Sequence, residues 1–127
     1  MAKLVSKIVG IVLLLVGIVG FFLPSVLGMH LTLIHNIVHL ATAVVALYFG
    51  FASSIKATHS FCQIFGVVYL LVGLLGFIAP TVVVSLLMGH NMTESPSLIM
   101  DNIVHLLLGV LFMVVGLLRE PQQVATT

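Results

Sequence analysis

Charge is scarce in this chain. Only 6% of its 127 residues are Asp, Glu, Lys or Arg, four of them basic and three acidic. A soluble domain of this length carries about a quarter charged residues on its surface, so a soluble fold is excluded. The formal net charge of +1 comes with no basic patch, which removes nucleic acid from the partners to consider. Cysteine is as sparse: Cys62 stands alone, forms no intrachain disulfide and cannot by itself define a metal site. No activated nucleophile, Gly-rich phosphate loop or pair of acids marks an ordinary enzyme. A non-enzymatic role is expected.

Apolar sequence fills the space that charge leaves. The chain is 61% hydrophobic, with a mean hydropathy of +1.38. A helix crosses a bilayer with roughly 20 apolar residues, so this length accommodates about four crossings joined by short connections. The expectation is one all-α integral membrane domain over 1–120, embedded in the lipid bilayer, with a disordered tail at 121–127. The first span follows Lys3 and Lys7, runs uncharged over 8–23 and ends at Pro24. No small-x-small cleavage site follows it, so it reads as a retained span and not as a signal peptide. An uncharged connection at 24–31 leads to Thr32, a candidate N-cap for a second span ending near 52. A polar loop is expected at 53–60, then a third span from near Cys62 to Pro80. The connection 81–95 starts apolar, either extending the third helix or lying along the interface, and turns polar at Gly89. Ser95-Pro96 reads as a cap and first helical proline, opening a fourth span that ends near Leu118.

The chain says much of this twice. His35-Asn36-Ile37-Val38-His39-Leu40 returns as Asp101-Asn102-Ile103-Val104-His105-Leu106, with only the first residue changed. The run 8–21 aligns with 64–77 so that Gly10, Gly17, Gly20 and Phe21 fall on Gly66, Gly73, Gly76 and Phe77, and Pro24 falls on Pro80. Together these matches describe a tandem duplication of a two-helix hairpin, with repeats near 7–52 and 63–118. Lys3, Lys7, Lys56 and Arg119 all fall on one side of the four-span topology. The positive-inside rule makes that side cytoplasmic, with both termini inside. The repeats then run parallel, unlike the inverted repeats of many transporters.

Several residues stand out within this frame. Gly10 with Gly17, and Gly66 with Gly73, share one helix face, where small residues let membrane helices approach closely; Gly20, Gly76, Gly109 and Gly116 join this packing set. Asn36 and Asn102, turned about 100° from their histidine neighbours, are candidates for interhelical hydrogen bonds. His35 lies one turn from His39, and Asp101 one turn from His105. If the second and fourth helices face each other, these four side chains share one vestibule. Ala43, Ala46, Gly50, Gly109 and Gly116 would then let those two helices close the path beneath it. Three imidazoles and a carboxylate suit a transition metal, and His39 facing His105 suits haem b. The same groups suit a proton or ion path, and structural hydrogen bonding alone also accounts for them. His30 and His90, in the outer loops, could add ligands to this cluster but are expected to be solvated, and His59 lies on the opposite side.

A span ending in Gly-Phe-x-x-Pro followed by one opening with Asn-x-x-His-Leu resembles a family of small bacterial membrane proteins described only as a domain of unknown function. Gly20-Phe21 with Pro24, Asn36 with His39, Gly76-Phe77 with Pro80, and Asp101-Asn102 with His105 carry the likeness over nearly the whole chain. The resemblance implies a multi-pass protein of the bacterial cytoplasmic membrane and lends no activity, substrate or cofactor. An accessory or structural component, as a homo-oligomer or part of a larger membrane complex, is the first functional expectation. Metal or haem binding and an ion path are the alternatives.

Overall fold

Four long helices, each apolar enough to cross a membrane, dominate the computed structural model, which describes residues 1–88 and 98–118. They are α1 (Ala2–Val19), α2 (Leu33–Phe51), α3 (Ile55–Ile78) and α5 (Ile99–Leu117), with a short α4 (Pro80–Val83) after α3. Together they form an all-α four-helix bundle. Large apolar side chains such as Ile11, Leu15, Val44, Ile64, Leu71 and Leu107 point outward. In water such a surface would be a liability, whereas lipid solvates it.

Local chemistry sets the helix boundaries. Thr32 caps α2, its hydroxyl accepting the His35 N–H at 3.3 Å, as its place in the sequence suggests. Ser54 caps α3 in the same way through the Ala57 N–H at 3.2 Å. The expected polar loop at 53–60 therefore shrinks to Ser53 and Ser54, and the third span begins at Ile55, ahead of Cys62. The polar side chains there serve the helix end. Thr58 Oγ1, for instance, donates to the Phe49 carbonyl at 2.8 Å and the Ser54 carbonyl at 2.9 Å. At the other end of α3, Ala79 leaves the helical region just before Pro80, as steric conflict with the proline ring requires. The chain resumes as α4 and a π-helical turn over Val84–Met88 that touches α2. Ser95-Pro96, His90, Arg119 and the 121–127 tail lie outside the described residues.

The uncharged connection after α1 has structure of its own. Ser25–Val26 (β1) and Met29–His30 (β2) form a two-stranded antiparallel hairpin. Its turn residues Leu27 and Gly28 both have positive φ, 53° and 81°, as the tightest hairpin turns require.

Each helix packs chiefly on its neighbour in sequence, α1 on α2 and α3 on α5, antiparallel within each pair. A Cβ added at Gly10 would lie 2.8 Å from Leu47 Cγ, and one at Gly17 2.8 Å from Leu40 Cδ2. At Gly66 it would meet the Met113 backbone at 2.8 Å, and at Gly73 Leu106 Cγ at 2.8 Å. Contacts thus recur at matching positions in the two pairs. The pairs lie side by side and run the same way, with Ser6 of α1 against Cys62 of α3 at 3.5 Å and His35 of α2 against His105 of α5. The core is aromatic at its centre, where Phe61 stacks on Phe49 at 4.7 Å and meets Phe112 edge-on at 5.7 Å.

One expectation about packing is corrected. Gly50 faces Lys7 of α1, while Gly109 and Gly116 face Leu70 and Gln63 of α3. These glycines therefore tighten each hairpin and do not join α2 to α5, whose backbones hardly approach each other. The path below the polar cluster is instead filled by Tyr69, Phe112, Phe61 and Phe65. A face of small residues meets whichever bulky ridge lies opposite, and within a hairpin that ridge belongs to the sequence neighbour.

Candidate metal centre

Helix periodicity brings the site together. His35 and His39 stand one turn apart on the buried face of α2, with ring centroids 4.3 Å apart. His105, one turn beyond Asp101 on α5, stacks on His35 at 5.7 Å. All three are at most 7% exposed, and one ring nitrogen from each lies within 4.8 Å of the others. Each ring also has a buried nitrogen that makes no hydrogen bond of good geometry, Nε2 of His35 and Nδ1 of His39 and His105, although the His105 ring also interacts with the Asp101 backbone one turn back. An unsatisfied buried polar atom costs about 1–3 kcal/mol. Three such nitrogens on one cluster of rings call for an occupant.

The protonation of His35 follows from its partner. Its Nδ1 lies 2.7 Å from the His30 carbonyl oxygen, which can only accept, so Nδ1 carries the proton and donates. In the neutral ring the lone pair is then on Nε2, the atom left without a partner. Metal-ligating histidines are set up this way, one nitrogen donating to a carbonyl or carboxylate and the other turned to the ion.

Asp101 joins this arrangement at one remove. Its carboxylate, in the first turn of α5 and 4% exposed, accepts the His30 backbone N–H at 3.1 Å and bonds His30 Nδ1 at 3.2 Å. The helix N-terminus favours the negative charge there. The sequence places Asp101 beside His105, but in the folded protein it holds the β-hairpin, whose His30 carbonyl in turn holds His35. Asp101 Oδ1 is 4.0 Å from His35 Nδ1, too far for a hydrogen bond. His30, expected in solvent, is half-buried and part of the site's support. Its role was hidden because it depends on a hairpin reaching across to α5. Tyr69, also unnoticed in the sequence, stacks on His105 at 5.6 Å and closes the inner side.

Asn36 and Asn102 do not reach the triad. Asn36 Nδ2 donates to the Leu31 carbonyl at 3.2 Å, a bond to the incoming chain and not to another helix. The amides of Asn36 and Asn102 pack into the spaces left by Gly20 and Gly76, where a Cβ would overlap them. His59 lies at the opposite end, bonding the Gly116 carbonyl through Nδ1 at 3.1 Å.

Among the described residues, cavities flank the triad on two sides. A small one of about 60 Å³ lies toward α3, between Thr42, Tyr69 and the histidines. A larger one of about 340 Å³ lies between α1 and α5, with His35, His39, Asp101 and His105 among its lining residues. No family model, curated protein or solved structure matches the chain. The chemistry of the site therefore rests on its geometry.

Proposed function

We propose that this is a multi-pass bacterial inner-membrane protein that binds a single divalent transition metal on His35, His39 and His105. The observation that carries the reading is the protonation pattern of His35, whose Nδ1–H is committed to the His30 carbonyl, leaving an unpartnered Nε2 lone pair on a ring clustered with two more buried imidazoles. An all-imidazole set suits zinc or copper. Zinc–nitrogen bonds of about 2.0–2.1 Å put tetrahedral ligands about 3.4 Å apart, so small ring rotations from the 4.8 Å spread would complete the site. Haem b fits less well. Its axial histidines lie on opposite faces of a macrocycle, and here the His35 ring fills the space beside both His39 and His105.

Orientation and descent belong to the same reading. The one-sided basic residues of the sequence support an orientation with both termini in the cytoplasm and the triad toward the outer face. The paired glycine contacts and the twice-written hexamer support descent from a duplicated hairpin in which His35 and Asp101 have diverged. A proton path has less support, because aromatic side chains fill the interior beneath the triad. A purely structural role would not call for three unpartnered nitrogens.

The test is zinc and copper titration of protein purified in mild detergent, with His35→Ala, His39→Ala and His105→Ala beside it. Stoichiometric binding is expected. Each substitution should weaken it by more than the roughly 10–100-fold typical of changes to outer-shell partners. Equal affinity in the wild type and all three variants would refute the proposal.

A further inference from the structure

α2 and α3 are joined by little more than Ser53 and Ser54, yet they pack on each other far more sparsely than the helices within either hairpin. The seam between them opens as a groove of about 490 Å³ at the bundle end that carries Lys56. Its floor is aromatic: Phe61 stacks on Phe49 at 4.7 Å and meets Phe65 at 4.5 Å. Ser54, Lys56 and Ser60 make its mouth polar, and Ile64, 62% exposed, marks the side open to lipid. Duplication does not account for this floor. In the register that aligns 64–77 with 8–21, Phe61 and Phe65 correspond to Val5 and Val9, and the hexamer register pairs Phe49 with Val115.

Polarity is graded along the groove. A helix rises 1.5 Å per residue, so Ile64 and Phe65 lie about 12–14 Å deeper than Lys56. A phospholipid is graded the same way, from charged phosphate through glycerol to hydrocarbon. At the mouth, Ser54 Oγ accepts the Ala57 N–H at 3.2 Å and keeps its own hydrogen to donate. The Lys56 ammonium adds further donors and a positive charge. Asp101, at the far end of the bundle, is the only acid among the described residues, so no acidic side chain on the groove competes for Lys56. Lys3 and Lys7 stand at the same end, with Lys7 Nζ 4.6 Å from the centre of the Phe51 ring. Lysines at a membrane surface favour anionic headgroups. A free phosphate would leave the aromatic floor uncovered, and a zwitterionic lipid brings its own cation against Lys56.

We propose that the α2/α3 groove holds one anionic phospholipid from the leaflet at the lysine-bearing end. Its phosphate sits on Lys56 and Ser54, and the start of one acyl chain lies on Phe61, Ile64 and Phe65. The groove takes the glycerol region and the upper part of that chain, while its open side leaves the rest of the lipid in the bilayer. The site is separate from the metal centre and does not depend on it.

Native mass spectrometry of the protein released from mild detergent tests this. The titrants are palmitoyl-oleoyl phosphatidylglycerol and the phosphatidylcholine with the same chains. The wild type should bind one phosphatidylglycerol at least about fivefold more tightly than phosphatidylcholine. Lys56→Gln should remove that preference. Lys3→Gln takes the same charge from the same end outside the groove and should keep it. Ser60→Phe fills the groove without changing its charge and should weaken binding of both lipids; Ala57→Leu supplies that comparison if Ser60→Phe does not fold. Equal binding of the two lipids by the wild type would overturn the proposal, as would unchanged binding in the groove-filling variant. Equal losses in Lys56→Gln and Lys3→Gln would assign the preference to the general field of that end and overturn it too. A lipid-free dimer that Ser60→Phe dissociates would make a second copy of the chain the occupant, against the proposal.

Discussion

Replacing Gly20 by alanine tests how tightly each hairpin is built. The backbone at Gly20 is helical, with φ −60° and ψ −22°, so alanine suits it and could gain up to about 1 kcal/mol in helix propensity. The obstacle is steric. The new methyl would overlap the Asn36 amide, with Cγ only 2.6 Å away and Nδ2 2.8 Å. Asn36 is 1% exposed, and its Nδ2 is held by the Leu31 carbonyl at 3.2 Å, so it has nowhere to retreat without losing that bond. Overpacking of this kind costs about 1–3 kcal/mol and the lost hydrogen bond about 1 kcal/mol. Set against the propensity gain, the net destabilisation is about 1–3 kcal/mol. Asn36→Ala alone should cost about 1 kcal/mol, since it removes one hydrogen bond together with an Oδ1 that has no partner. The double variant gives the added methyl room and should resemble Asn36→Ala, a coupling of about 1–3 kcal/mol. Unfolding in mixed micelles with increasing denaturing detergent measures all four proteins. Strictly additive losses would show that the Gly20–Asn36 contact does not carry the energy assigned to it. Gly76→Ala with Asn102→Ala offers the same cycle in the second hairpin, where the methyl would overlap the Asn102 amide.

Two further expectations concern the site and its orientation. Asp101→Ala should lower metal affinity about 10–100-fold by releasing the hairpin that holds His35, whereas His30→Ala keeps the carbonyl that bonds His35 and should cost less; isothermal titration of both distinguishes them, and the reverse order would contradict the role given to the His30 backbone. In a Cys62→Ser background, a membrane-impermeant thiol reagent applied outside should label Ser25→Cys in the exposed hairpin but not Lys56→Cys at the start of α3; the opposite labelling would invert the topology.

Much of this architecture could be read from the chain directly. Composition alone required a membrane solvent, since 6% charge cannot cover a soluble surface. Hydropathy placed four spans, and the cap at Thr32 marked the start of α2, because these features depend on neighbours close in sequence. The grouping of His35, His39 and His105 was legible too, as helical spacing and the repeated hexamer put them at one depth on inward faces.

Contacts distant in sequence were not legible. That Asp101 serves His30 and not a triad histidine depends on a β-hairpin folding over the bundle end, and nothing in an uncharged connection announces such a turn. The small residues of α2 and α5 were readable as a packing face, but not which helix they face; Lys7, Leu70 and Gln63 opposite their glycines settled that within each hairpin. The unpartnered Nε2 of His35 emerges only once the His30 carbonyl has taken the other nitrogen. Periodicity fixes which side of a helix a residue occupies. What meets that side is decided by the three-dimensional fit of the bundle, because the partner atoms come from chain that is remote in sequence.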